Sequence, residues 1–287
     1  MFFCVFILLG CTKQPLLEGK SIKRVALVMG NQNYFKNELD NPINDAKGVA
    51  KTLEGIGFDV ILEFDLTLKK LNEVLATLKS KIEVDNTMVF IYFAGHGNTL
   101  QKNSAEEYLM MTDKNKKVLV SLYKFYDFLK EAKTRYNIIT IDACRDYQEH
   151  YIALNQEENE NALANFRGNF KLRSIRHGKD IKEDEFVVLD NNYSYELPPS
   201  TIVSYATRHH QKAKDWSIYD KHHSPYSYAL MKYLDDEEIP INEVFRRVRV
   251  SLLKETEREQ NNLEELNLEK NIWLVPKKVN IAFAPPI

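Results

Sequence analysis

From Arg24 onward, short apolar runs alternate with stretches of helical period, the pattern of parallel strands joined by crossover helices. Val25-Ala-Leu-Val-Met29 has no polar interruption and is closed by Gly30-Asn31, which predicts a strand buried on both faces. Ile43, Ala46, Ala50 and Leu53 then recur at helical spacing, with Pro42 in the first turn and Gly55 and Gly57 ending the helix. Phe58 to Leu62 reads as a second strand, and Leu68, Leu71, Leu75, Leu78 and Ile82 predict an amphipathic helix after Thr67. Met88 to Phe93 is apolar on both faces and reads as a central strand. A short strand at Tyr108 to Met111 precedes a helix capped by Ser121, with Leu122, Phe125, Leu129 and Ala132 facing inward. Asn137 to Ile141 is the fourth main strand and Thr201 to Tyr205 the fifth. Between about Gln148 and Pro199 the periodicity fails. Ser224-Pro225 opens a helix that carries Tyr226, Ala229, Leu230 and Tyr233 inward. Ile241, Val244, Phe245, Val248 and Leu252 make another helix, and Asn271 to Val275 is the expected last strand. The sum is an α/β fold, a mostly parallel six-stranded sheet with helices on both faces.

Composition narrows the class without naming it. With 44% hydrophobic and 28% charged residues in 287, the chain has the makeup of a globular domain, which excludes disordered and fibrous classes. Its 39 basic and 41 acidic residues leave a formal charge of -2, so no overall field draws it to nucleic acid. Arg246, Arg247, Arg249, Lys254 and Arg258 are interleaved with Glu255, Glu257 and Glu259, which reads as a solvated helix face. The pairs His209-His210 and His222-His223 lack a spaced partner to complete a metal site, so no metal is expected. Cys4, Cys11 and Cys144 are too few and too far apart for a disulfide framework.

The N-terminus has its own signal. Met1 to Gly10 is an uncharged apolar run, far below the roughly 20 residues that span a membrane, and reads as the apolar core of a signal peptide. Leu8-Leu9-Gly10-Cys11 resembles the lipobox of bacterial lipoproteins. That resemblance implies cleavage before Cys11, a lipid on its side chain and a place in the bacterial cell envelope, on the periplasmic or extracytoplasmic face. The expected organisation is a signal peptide over 1–10, a lipidated tether over 11–22 and a larger part of the main domain over 23–147. A linker or insertion over 148–199 and a part over 200–287 that completes the same domain follow.

Ligands of open parallel sheets bind at the carboxyl ends of the strands. Two of those ends carry chemistry here: Ala94-Gly95-His96-Gly97 and Asp142-Ala143-Cys144-Arg145-Asp146. A histidine between glycines is poorly suited to core packing and open to approach by another backbone. A thiolate is a nucleophile, and an imidazole beside it can take the thiol proton and later protonate a leaving amine. Backbone N–H groups at Gly97 and Cys144 would then hold the oxyanion formed on an attacked carbonyl.

Phe93-Ala-Gly-His-Gly97 and Asp142-Ala-Cys-Arg145 resemble the histidine and cysteine motifs of the caspase-like cysteine peptidases, which include caspases, metacaspases and bacterial orthocaspases. Histidine about 50 residues before the cysteine is part of that known signature. Gly30-Asn31 with Tyr34, Asn44-Asp45-Ala46, Ser204-Tyr205-Ala206-Thr207, Ser224-Pro225-Tyr226 and Asn242-Glu243-Val244-Phe245 are similar to bacterial members. The resemblance implies a caspase-hemoglobinase fold and a His96–Cys144 dyad with Gly97 and Cys144 as oxyanion hole. As in metacaspases, it also implies cleavage after Arg or Lys, with Asp142 and Asp215 reading the basic side chain. A carboxylate pair suits a guanidinium fork. The substrate strand is expected to add alongside Ser204, Tyr205 and Ala206. The sequence departs from the family at His209-His210, where a Pro-Gly turn is common. No cofactor is implied, and the residues leave calcium activation open. Expected partners are a protein or peptide substrate and a membrane through Cys11, with no nucleic acid. Arg167, Lys171, Arg173, Arg176 and Lys179 make self-processing within 148–199 a further expectation. The rival reading is a catalytically silent lipoprotein that binds peptides as a scaffold.

Overall fold

The computed structural model describes residues 21–34, 38–99, 107–114, 117–147, 186–189, 196–209 and 211–275. Its main sheet follows the apolar runs: β1 (Lys23–Gly30), β2 (Asp59–Phe64), β3 (Thr87–Ala94), β7 (Tyr136–Asp142), β10 (Thr201–Tyr205) and β11 (Leu263–Asn267). The order is β11-β10-β7-β3-β1-β2, parallel throughout except at β11, which runs antiparallel to β10. Every residue of β3, the central strand, is buried.

Alternation along the strands builds two cores. Val25, Leu27, Met29, Val89, Ile91 and Phe93 face helices α2 (Leu68–Lys81) and α3 (Tyr123–Ala132). Ala26, Val28, Phe90, Tyr92 and Ile202 face α1 (Pro42–Gly55), α4 (Pro225–Tyr233) and α5 (Ile241–Glu255). Thr67 caps α2 through its side chain, and Leu71, Val74, Leu75 and Leu78 form the buried stripe. Each such side chain contributes about 1.5–3 kcal/mol on burial. Ser224 caps α4 by accepting the Ser227 N–H, with Pro225 in the first turn.

The structure corrects the reading of the chain at several points. The last strand is Leu263–Asn267, not 271–275. The later stretch makes only a bridge, Pro240 to Trp273, and sinks Ile272 and Leu274 into the core. Leu263-Glu-Glu-Leu-Asn267 lacks an apolar run because it is an edge strand, and charged residues are how edges avoid further pairing. Ser121 is not the cap of α3. It ends strand β6 (Lys117–Ser121), although its hydroxyl still accepts the Tyr123 N–H at 3.2 Å.

Of a second sheet the periodicity shows only one strand, Tyr108 to Met111. The sheet has the order β8-β4-β5-β6-β9, from β8 (Asp146–Tyr147), β4 (Gly97–Thr99), β5 (Glu107–Met111), β6 and β9 (Phe186–Leu189). β9 lies inside the stretch read as patternless and pairs parallel with β6. Residues 148–185 lie outside the described residues, as do 1–20 with Cys11. Among the described residues, no helix is long and apolar enough to cross a membrane.

Candidate active site

The two motif loops leave adjacent parallel strands at one end of the sheet. β3 and β7 pair up to Ala94 opposite Asp142, and the Gly95 N–H donates to the Asp142 carbonyl at 3.1 Å. Two residues past His96 and Cys144 the chains pair again, with Asn98 of β4 opposite Asp146 of β8. The offset is the same before the loops (142 − 94 = 48) and after them (146 − 98 = 48), and it is also the offset of the two motif residues (144 − 96 = 48). Backbone pairing on both sides therefore holds His96 in register with Cys144. Both line one cleft of about 390 Å³, counting its open mouth, and both side chains are half-buried.

Each is held by neighbours. The Tyr34 hydroxyl accepts the His96 N–H at 2.9 Å and donates to the Met110 carbonyl, while its ring lies 4.6 Å from the imidazole centroid. The Cys144 thiol sulfur accepts the Ala213 N–H at 3.3 Å. Gly95 sits at φ +156 with a Cβ position only 2.3 Å from the Tyr34 hydroxyl, so no larger residue fits there. Gly97 abuts the nucleophile loop, since its Cβ would lie 2.7 Å from the Cys144 carbonyl oxygen.

Acidic residues from three separate parts of the chain reach the same cleft: Asp142 at the end of β7, Asp215 after β10, and Asp45 in the first turn of α1. Asp142 accepts from the Ser224 hydroxyl at 2.5 Å and from the Tyr92 hydroxyl at 3.4 Å, both through Oδ2. Asp45 accepts through Oδ1 from the Ser224 N–H, the Ser227 hydroxyl and His223 Nδ1. Asp215 takes the Asp40 N–H at 2.8 Å. The other oxygens of Asp45 and Asp142 have no hydrogen-bond partner among the described residues, and neither is a sealed, unsatisfied atom. Both residues line the cleft.

Burial pushes all three carboxyl groups upward, Asp142 well above the ordinary range, and the charges of Asp45 and Asp215 push Asp142 further. His223 partly offsets this at Asp45 and is itself raised by that carboxylate. Lys214, the cation among the lining residues, is engaged with Glu259 at 2.7 Å. A cleft with three crowded carboxyl groups beside a thiol and an imidazole is chemically suited to a cationic side chain next to an electrophilic carbonyl. Among the described residues no group of three or more His, Cys, Asp or Glu is arranged to hold a metal ion.

The substrate strand expected along Ser204, Tyr205 and Ala206 has no place there. β10 is paired on both sides, with β7 and with β11, and all three residues are buried. Ala206 donates to the Ile141 carbonyl and accepts from Gln260, while the Ser204 hydroxyl accepts from Tyr226. These residues carry the site from beneath. The reading of residues missed Asp45 as a pocket carboxylate, although Asn44-Asp45-Ala46 after Pro42 was a signal: an acidic first turn at the carboxyl edge of a parallel sheet.

The family model for the caspase domain, peptidase C14, matches residues 23–272. No curated protein matches the chain.

Proposed function

The chain belongs to the caspase-domain family of cysteine peptidases and has its α/β fold, and from that premise we propose that it is an endopeptidase cutting after Arg or Lys through a His96–Cys144 dyad. The common offset of 48 before and after the motif loops is the observation that carries the dyad. The three carboxyl groups lining the same cleft support basic specificity. His96 takes the thiol proton, and the Cys144 sulfur attacks the carbonyl carbon, with the C=O electron pair moving to oxygen near the Gly97 and Cys144 N–H groups. The tetrahedral species collapses as His96 protonates the departing amine. Water, deprotonated by His96, then cleaves the thioester and releases the acid and the free thiol.

Asp45, Asp142 and Asp215 bind the guanidinium or ammonium group and ionise as it enters. On this reading the enzyme is tethered to the envelope by a lipid on Cys11 and cuts its own chain within 148–199. A panel of fluorogenic peptides with Arg, Lys or Asp before the reporter tests the proposal on wild type and Cys144→Ala. Hydrolysis of the Arg and Lys peptides by wild type alone is expected, with fragments ending in 148–199 formed only by wild type. Cleavage after Asp would overturn the pocket assignment. No cleavage sensitive to Cys144→Ala would leave a scaffold that binds peptides.

A further inference from the structure

Arg145, next to the nucleophile, is the largest fully buried side chain among the described residues, 1% exposed. Its Nε donates to Glu107 of β5 at 2.7 Å, its guanidinium lies 3.9 Å from the Tyr205 ring centroid, and Nη1 reaches the Thr207 carbonyl. Nη2 lies 3.2 Å from His209 Nε2. A buried cation held at four points does more than neutralise one carboxylate. It ties the nucleophile loop to the segment that follows β10. The backbone repeats the tie: Arg145 N–H donates to the Gln211 carbonyl, the Thr207 hydroxyl to Ala143, and Ala213 N–H to the Cys144 sulfur itself. Thr207, Gln211 and Ala213 therefore set where the sulfur stands.

His209 is the member of this cluster that reaches solvent, with its side chain 37% exposed against 1% for Arg145 and 4% for Glu107. A guanidinium has only donors, so the Nε2 that meets Nη2 must accept, and the ring is then neutral with its proton on Nδ1. Nδ1 in turn lies 3.6 Å from Glu107 Oε1, the same oxygen that Arg145 uses. Protonation of His209 removes the lone pair facing Arg145 and sets an imidazolium against a guanidinium 3.2 Å away. Glu107, which burial raises to about 7, titrates in wild type and in the His209 variants alike, so their ratio reads the imidazole. Charged or titratable groups around the cluster include Arg208 and Cys144, the chain neighbours of His209 and Arg145, Glu265 of β11, which accepts from the Tyr205 hydroxyl, and Tyr126 of α3, paired with the same hydroxyl.

We propose that Arg145 is a positioning residue for Cys144 and that His209 is its proton-sensitive latch: neutral His209 keeps Thr207, Gln211 and Ala213 tied to the nucleophile loop, and protonated His209 releases them, moving the thiol out of register. The latch's activity arm rests on the peptidase reading; its chemical arm does not.

The test compares wild type, His209→Gln and His209→Ala between about pH 5.5 and 8.5, where imidazoles ordinarily change charge. A glutamine amide oxygen can accept near the Nε2 position and does not titrate. Two rates are read: kcat/KM on an arginyl peptide, and alkylation of Cys144 by iodoacetamide, quantified by peptide mapping. The ratio of wild type to His209→Gln is expected to be near one above about pH 8 and to fall roughly three- to tenfold by about pH 5.5, the scale of one lost hydrogen bond. His209→Ala should be slow at every pH, with melting temperatures of all three within a few degrees. A flat ratio, or His209→Ala as fast as wild type, overturns the proposal. If no peptide is cut but the alkylation ratio bends with pH, the latch stands and the peptidase reading falls. If peptides are cut and both ratios stay flat, the latch alone falls.

Discussion

Asp142 shows how much one side chain is asked to do. It ends the strand that leads to Cys144, takes the Ser224 and Tyr92 hydroxyls, and lines the cleft. Burial, then the charge of neighbouring carboxylates, raises it, and under the proposed function an arriving guanidinium favours its ionised form. KM for arginyl peptides should therefore fall as pH rises and the carboxyl groups lose their protons. Asp142→Asn should raise KM at least about tenfold, the scale of one charge-assisted hydrogen bond, and flatten that dependence. Steady-state kinetics on one arginyl peptide checks this; an unchanged KM means that the carboxylate only caps its strand end. His96, Cys144 and Asp142 were legible in the sequence because chemistry-bearing residues followed apolar strands directly. Asp45 was not assigned, since its partners His223 and Ser224 lie almost 180 positions away and only the fold brings them together.

Among the elements, the short strands matter most. β4 and β8 are three and two residues long, and their pairing closes the register that β3 and β7 open. Gly97 begins β4 where it touches the nucleophile loop, so Gly97→Ala must push the Cys144 carbonyl or the Ala143 methyl aside. The expected result is a fall in kcat of about tenfold or more with little change in KM, since a small misplacement of reacting atoms is costly. Equal kcat in Gly97→Ala would show that the loop has slack the packing does not suggest. The long helices and buried strands were readable because each carries a repeating apolar face. β4, β8 and β11 were not, because two or three residues have no period and an edge strand has no reason to be apolar.

For the molecule as a whole, the buried carboxyl groups set the pH dependence of stability. Burial pushes Glu107 from 4.5 up to about 7, with Arg145 restraining the rise, and Asp45, Asp142 and Glu265 shift the same way. A raised acid binds more protons folded than unfolded between those two values, so its contribution is present at low pH and lost as pH climbs through the window. His223, raised by Asp45, adds the same sign above its ordinary 6.5. Glu243, held down to about 2 by Arg246 and Arg247, acts oppositely but only below 4.5. The melting temperature should therefore decline from about pH 5 to about pH 8, less steeply in Glu107→Gln. Calorimetry across that range checks it, and a rise instead would mean that Glu107 is ionised throughout. This trend opposes the acid loss of activity expected from His209, so that loss does not follow from unfolding.

The six-stranded sheet was legible from patterning alone, apart from its last strand, and of the second sheet only β5 showed in the pattern. What joins them is the placement of one thiol and one imidazole beside an acidic cleft. The most direct measurement is covalent capture: wild-type protein is treated with a peptidyl chloromethyl ketone ending in arginine, and with its aspartyl counterpart, and the adduct is located by mass spectrometry. A single adduct on Cys144 from the arginyl reagent, slowed at least about tenfold in His96→Ala, is the predicted result. Labelling elsewhere, or faster labelling by the aspartyl reagent, would contradict it.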